Sequence, residues 1–218
     1  MLPAATTRPA YSRAEQVSDA VVHLVALGLA LTAVPVLIAL AIAWRGDASA
    51  VVGACVYGGS LIAMITCSAL YNAGLWPRLA PVFQRLDHSA IYFKIAGTYT
   101  PFTLFSGGGF GLLAGLWGAA LAGAGLKILA PGRFRVLGLA LYLGMGWIGV
   151  LAGWQLFAAM PPAVFWLVVA GGVTYTLGTL FYLAEGRLFH NTIWHVFVMT
   201  ASVLFFVAVA LYLAATSA

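Results

Sequence analysis

Asn191 and His195 stand four residues apart in FHNTIWHVFV, residues 189–198, at the start of a long apolar run. Ser68 and Asn72 have the same spacing in SALYN, and Glu15, Asp19 and His23 follow each other at it too. Asp87 and His88 open RLDHSAIYFKIAGTYTPF, which also carries Lys94. Residues four apart share one face of a helix, so each set presents its polar groups together. Two chemistries suit such residues. Imidazoles with a carboxylate hold a metal ion and activate water. Alternatively, amides, a hydroxyl, a carboxylate and an imidazole satisfy one another without metal, since an Asn side chain both donates and accepts. A His pair at this spacing would chelate well, but Asn stands at 72 and 191, and a neutral amide oxygen is a poor zinc ligand. Taken singly, each residue fits a structural role. A membrane-helix Ser often bonds its own i−4 carbonyl, and an acid near a helix start caps it or is solvated.

These groups lie in a very apolar chain. Of 218 residues, 63% are hydrophobic and 7% charged, against about 25% charged in soluble domains; the mean hydropathy is +1.03. The fold class is therefore all-α, a polytopic membrane bundle. The net charge of +5 comes from a few loop cations and implies no nucleic-acid partner. Cys55 and Cys67 fall in one apolar run, twelve residues apart, and cannot bridge each other. Residues 1–16 are polar and contain no apolar core of a cleavable signal, so they read as a cytoplasmic segment preceding one transmembrane domain, 17–218.

A span takes about 20 apolar residues. Seven runs qualify, at 18–44, 50–74, 86–106, 108–130, 135–158, 162–184 and 191–215, joined by short loops with no room for a soluble domain. Seven spans place the N-terminus and three loops on one side, with Arg8, Arg13, Arg78, Arg85, Lys127, Arg133, Arg135 and Arg187; the other side has Arg45. That bias predicts an internal N-terminus and an external C-terminus. All four polar sets then lie at the cytoplasmic ends of their helices. Lys94 follows Asp87 by seven residues on nearly the same face, roughly 10 Å deeper. The spacing predicts a single cytosol-facing cavity with Lys94 at its floor, paired to Asp87 or bathed in water. Gly107, Gly111, Gly115, Ala119 and Gly123 repeat every four residues in the fourth run, which predicts close packing inside the bundle.

The segment LDHSAIYFKIAGTYTPF resembles the third-helix signature of the hemolysin III proteins, the bacterial branch of the progestin and adipoQ receptor superfamily. SALYN resembles that family's S-x-x-x-H segment and NTIWHVFVMTAS its H-x-x-x-H segment. EQVSDAVVHLVALG is similar to its opening stretch, with Glu15 and His23 in the expected places. The resemblance implies seven helices in a bacterial inner membrane and a zinc ion near the cytoplasmic face, held by three histidines with an aspartate and a serine beside it. Carried onto this chain, Ser68 and Asp87 take the catalytic positions and His195 is a retained metal ligand. The other two ligand positions fall on Asn72 and Asn191, and a further family histidine falls on Phe205. Lys94 stands where relatives usually carry an apolar residue. His190 and His88 point around their helices away from the positions they would have to replace. Glu15, His23 and Lys94 are expected to line the cavity.

Three function classes follow. One is a zinc-dependent hydrolase of a membrane lipid amide of the ceramide type. Another is a non-catalytic protein with an altered role in membrane homeostasis, or a channel or transporter. The last is a cytolytic pore, implied by the family name alone. Two substituted ligands favour the non-catalytic reading and argue against zinc. Membrane lipids are the expected partners, with a small lipid ligand or a second copy of the chain as further ones. A seven-helix rhodopsin is set aside, because the last run has no lysine.

Overall fold

The computed structural model describes residues 11–129 and 135–217; Arg8 and Arg133, counted above for orientation, lie outside them. The described chain is helical throughout. Helix α1 spans Arg13–Trp44, α2 Ala48–Ala73, α3 Ala80–Ser106 and α4 Phe110–Leu129. Helices α5 and α6, Arg135–Ala152 and Trp154–Ala158, together cover the fifth apolar run, which breaks at Gly153. Helices α7 and α8 are Pro162–Leu183 and His190–Ala215. Local chemistry sets the ends. Ser12 and Glu15 form a reciprocal capping box at the start of α1. Asp47 caps α2 through the Ala50 amide, and Gly74 ends that helix in the left-handed region at φ 63°. Helix α3 begins earlier than the apolar pattern suggests, because a 3₁₀ turn over Pro77–Leu79 leads into it.

Helices α1, α2, α4, α7 and α8 are long and apolar enough to cross a membrane, and Val136–Ala152 is a shorter apolar helix. Helix α3 has the length, 27 residues, but carries Arg85, Asp87 and Lys94. Large apolar side chains face outward, Leu24, Trp166 and Leu129 among them, as expected where lipid surrounds a bundle whose backbone bonds are internal.

Helix α2 packs between α1 and α3, α3 also meets α4, α5 and α8, and α8 packs on α7 and returns to α1. Close approach needs small residues. A Cβ at Gly58 would collide with the Val34 side chain, and one at Gly97 with Ser60. The small-residue repeat on α4 does not serve this purpose. Gly111 and Gly115 have nothing within 4 Å of an added Cβ, and of the repeat's glycines on α4 only Gly123 meets a neighbour, the Tyr92 ring. The buried stripe of α4 is instead Leu116, Ala120, Gly123, Ala124 and Lys127. A four-residue spacing specifies a face without saying where that face points.

The end of the bundle where α1 meets α2 is tied by Arg45. Its guanidinium donates to Asp47 (2.8 Å), to the Phe105 carbonyl at the end of α3 (3.1 Å) and to the Thr216 hydroxyl at the end of α8 (3.1 Å). Hydrogen bonds from the Ser49 side chain, from the Ala50 amide and from Arg45 hold the Asp47 carboxyl far below the usual carboxylate range.

Candidate polar centre between α1, α2 and α8

The first turns of α1 and α8 and the last turn of α2 meet at the opposite end, and there the polar sets converge. Asp19 on α1 and His195 on α8 are 176 residues apart in sequence, yet Asp19 Oδ1 lies 2.5 Å from His195 Nδ1. His23, one turn along α1, places its Nδ1 2.8 Å from the Asp19 main-chain carbonyl. The two imidazole rings meet edge to face, centroids 4.4 Å apart. Their Nε2 atoms both face the Ser68 hydroxyl, His23 at 3.0 Å and His195 at 3.4 Å. Ser68 therefore does not use its i−4 carbonyl. Asn72 donates to the Ser68 carbonyl (2.9 Å) and hydroxyl (3.3 Å), while its own carbonyl accepts from the Asn191 amide at 3.3 Å. Asp19, His23, Ser68 and His195 are all buried.

Glu15 lies one turn before Asp19, just outside the first apolar span. Its carboxylate accepts from the Phe189 amide at 2.9 Å and from Ser12, so it ties the start of α1 to the turn before α8. The Phe189 amide, followed by Ser12, holds the Glu15 carboxyl below its ordinary range. A small cleft lined by Glu15, Asp19, Asn72, Asn191 and Thr192 opens beside this latch. His190 is buried, with its Nε2 3.4 Å from the Tyr11 hydroxyl, and it takes no part in the Asp19–His195 cluster.

Among the residues expected to act together, Ser68, Asn72, Asn191 and His195 are brought into one hydrogen-bonded chain, and His23 joins it directly. The expected pairing of Asp87 with Lys94 and the expected place of Lys94 are corrected. Asp87 is half-buried on α3 and makes no hydrogen bond or ion pair among the described residues. Lys94 does not form the floor of the same cavity. It lines a separate one, with its ammonium over the Phe205 ring at 4.4 Å and the Tyr175 ring at 5.5 Å. Lys94 departs from the expectation because its side chain enters the space between α3, α5, α7 and α8, while the polar chain runs over α1, α2 and α8. Asp19 is the member that sequence reasoning undervalued. Its spacing to Glu15 and His23 was the available signal, but nothing local showed that it would face α8.

Asp19, His23 and His195 bring ligand-type atoms within 4.8 Å of one another, which raises the question of a metal ion. The Nδ1 atoms are committed on the Asp19 side, an arrangement that elsewhere orients ligating imidazoles from behind. The Nε2 atoms converge on the opposite side, where the Ser68 hydroxyl already sits. A cation at Ser68 would thus have two nitrogen ligands with Asp19 behind the rings, while one beside Asp19 would break both Nδ1 bonds. Zinc sites use three or four protein ligands around one point. At the remaining family positions, the Asn72 and Asn191 amides bond each other. Of the positions that the family resemblance gives to zinc ligands, His195 alone keeps an imidazole, and the set close enough to hold an ion is Asp19, His23 and His195.

The family model described as "Haemolysin-III related" matches residues 11–206. The chain is 37% identical over 206 residues to "Hemolysin-3" of Bacillus cereus, covering 93% of this chain and 94% of that protein. It is 37% identical over 201 residues to "Hemolysin-3 homolog" of Bacillus subtilis (strain 168), covering 91% and 94%. "Monocyte to macrophage differentiation factor" of Homo sapiens is 28% identical over 177 residues, covering 72% of this chain and 69% of that protein.

Proposed function

The chain belongs to the haemolysin III family, and from that premise we propose that it is a seven-span protein of the bacterial plasma membrane whose metal site has been replaced by a protein-only hydrogen-bonded node. Its role in membrane homeostasis is then non-catalytic, or altered from metal-dependent lipid hydrolysis. The observation that carries this reading is the pairing of polar groups. Asp19 with His195, His23 with Ser68, and Asn72 with Asn191 are each joined by a hydrogen bond. The node links α1, α2 and α8 in a region where unpaired polar groups are costly.

The helices coincide with the seven apolar runs when α5 and α6 are counted together. The cation bias supports the proposed orientation, with Arg13, Arg78, Arg85, Lys127, Arg135 and Arg187 opposed by Arg45. Reporter fusions at the two ends should show the N-terminus inside and the C-terminus outside. An external N-terminus would reverse both the topology and the side on which the node lies.

Purified protein supplied with a long-chain ceramide and micromolar zinc should release no fatty acid above the level given by His195→Ala. Release that chelator abolishes and added zinc restores would overturn the non-catalytic reading in favour of hydrolysis.

A further inference from the structure

Lys94 is 2% exposed and joins none of the ion pairs among the described residues. The space beside it, between α3, α5, α7 and α8, is walled mostly by apolar side chains, and no aspartate or glutamate lines it. Asp87, the nearest acid along α3, makes no ion pair either. The Lys94 ammonium lies over the Phe205 ring at 4.4 Å and the Tyr175 ring at 5.5 Å. Aromatic faces attract a cation but accept none of its three N–H bonds in the manner of an oxygen.

The other hydrogen-bond donors around this space are nearly all spent. The Thr98 hydroxyl donates to the Lys94 carbonyl at 2.7 Å, Thr176 to the Gly172 carbonyl at 2.8 Å and Tyr142 to the His88 carbonyl at 2.8 Å. Tyr99 donates to the Gly146 carbonyl, and the Trp147 ring N–H to the Thr176 hydroxyl at 3.1 Å. The exception is the Tyr175 hydroxyl, which is buried and has no hydrogen-bond partner. Two donors therefore remain, an ammonium on α3 and a phenol on α7, and neither has an acceptor. A buried charge left in this way is costly. Ionisable groups within spans ordinarily face a partner or a wet cavity, and here the chain itself provides no anion.

Size and hydration limit what the anion can be. The enclosed space is about 60 Å³, and one water occupies about 10–15 Å³ of such volume. That admits a monatomic ion with a few waters. A dianion, or a small and strongly hydrated anion, loses more hydration in low-dielectric surroundings than two donors return. A larger monovalent ion loses less.

We propose that Lys94 and Tyr175 bind one halide ion, chloride, in this space. The ion accepts from the ammonium and from the phenol, and a hydrogen bond from an ionised donor is stronger than one from a neutral donor. It neutralises the Lys94 charge and ties α3 to α7. The site is independent of the polar node, because none of its residues belongs to the Asp19–His195 cluster.

The test uses full-length protein in a neutral maltoside detergent, with sodium gluconate holding the ionic strength constant. Chloride binding is read from broadening of the chloride nuclear magnetic resonance line. The wild type should broaden it, and Lys94→Met should weaken binding roughly tenfold or more, through loss of the charged donor. Tyr175→Phe should weaken it severalfold. Bromide should displace chloride well and fluoride poorly. Chloride should also raise the thermal midpoint of the wild type over gluconate and leave that of Lys94→Met unchanged. Equal broadening by wild type and Lys94→Met would overturn the proposal. An absence of broadening by the wild type would overturn it too, since water alone would then fill the space. Acetate or bicarbonate displacing chloride as well as bromide does would refute the halide assignment. Lys94→Met removes an unpaired buried cation and should fold. Wild-type crystals soaked in bromide give a second measurement that needs no variant. An anomalous scattering peak should stand beside the Lys94 ammonium and the Tyr175 hydroxyl, and bromide found only elsewhere would contradict the site.

Discussion

Replacing Asp19 by alanine should destabilise the protein by about 3–5 kcal/mol, the range for removing one partner of a buried charged pair. Two scales compete for this estimate. Hydrogen bonds between membrane helices average about 0.6 kcal/mol, because the separated helices find other partners. The larger figure applies here because the 2.5 Å contact joins two side chains under 10% exposed, and because His195 would keep a buried, unsatisfied Nδ1. The loss would also spread. His195 holds its place between Asp19 and Ser68, and Ser68 is held in turn by His23 and Asn72. Asp19→Asn retains an acceptor oxygen and should cost less, about 1–2 kcal/mol. Unfolding in mixed micelles of maltoside and dodecyl sulfate, with Asp19→Ala, His195→Ala and the double variant, measures the coupling. A sum of single effects equal to the double effect would mean that the two residues act separately.

Arg45→Ala should have the next largest effect, about 2–4 kcal/mol, from the bonds that its guanidinium makes to the Phe105 carbonyl and the Thr216 hydroxyl. The Asp47 pair is left out of that figure, because its carboxylate side chain is 41% exposed and water screens it. The larger effect comes from position. One planar group gathers the ends of α1, α3 and α8 at the side of the bundle farthest from the polar node. Arg45→Lys should recover less than half, since a single ammonium lacks the fork that reaches the Phe105 carbonyl and Thr216 from one nitrogen and Asp47 from another. The same micelle titration measures this, and an Arg45→Lys variant as stable as wild type would show that charge alone suffices.

Much of the fold was legible from the apolar runs, because a helix in lipid must be long, apolar and free of long loops. The set Ser68, Asn72, Asn191 and His195 was legible for a related reason: polar residues at one depth on short-looped helices have few other places to go. Depth and spacing do not give rotation about the helix axis, and the misread residues all depended on rotation. Lys94 follows Asp87 by seven residues on α3, but its side chain enters a cavity with α5 and α7 instead of the node. The glycine repeat of α4 follows a regular stripe, yet Gly111 and Gly115 point away from any neighbour. Asp19 fits its helix as an ordinary polar residue of the first turns, and its partner is more than 170 residues away on α8. Only the packing of the last helix against the first reveals it.

The central claim is that the node is held by protein groups in place of zinc. The direct measurement is metal content of protein purified without chelator, wild type beside Asn72→His/Asn191→His. The wild type should carry well under one zinc per chain. The double variant restores imidazoles at both family positions around His195 and should carry about one, lost again in its His195→Ala derivative. A wild type with one zinc per chain, lost in either His23→Ala or His195→Ala, would contradict the claim and show that the metal is held by the Asp19, His23 and His195 cluster.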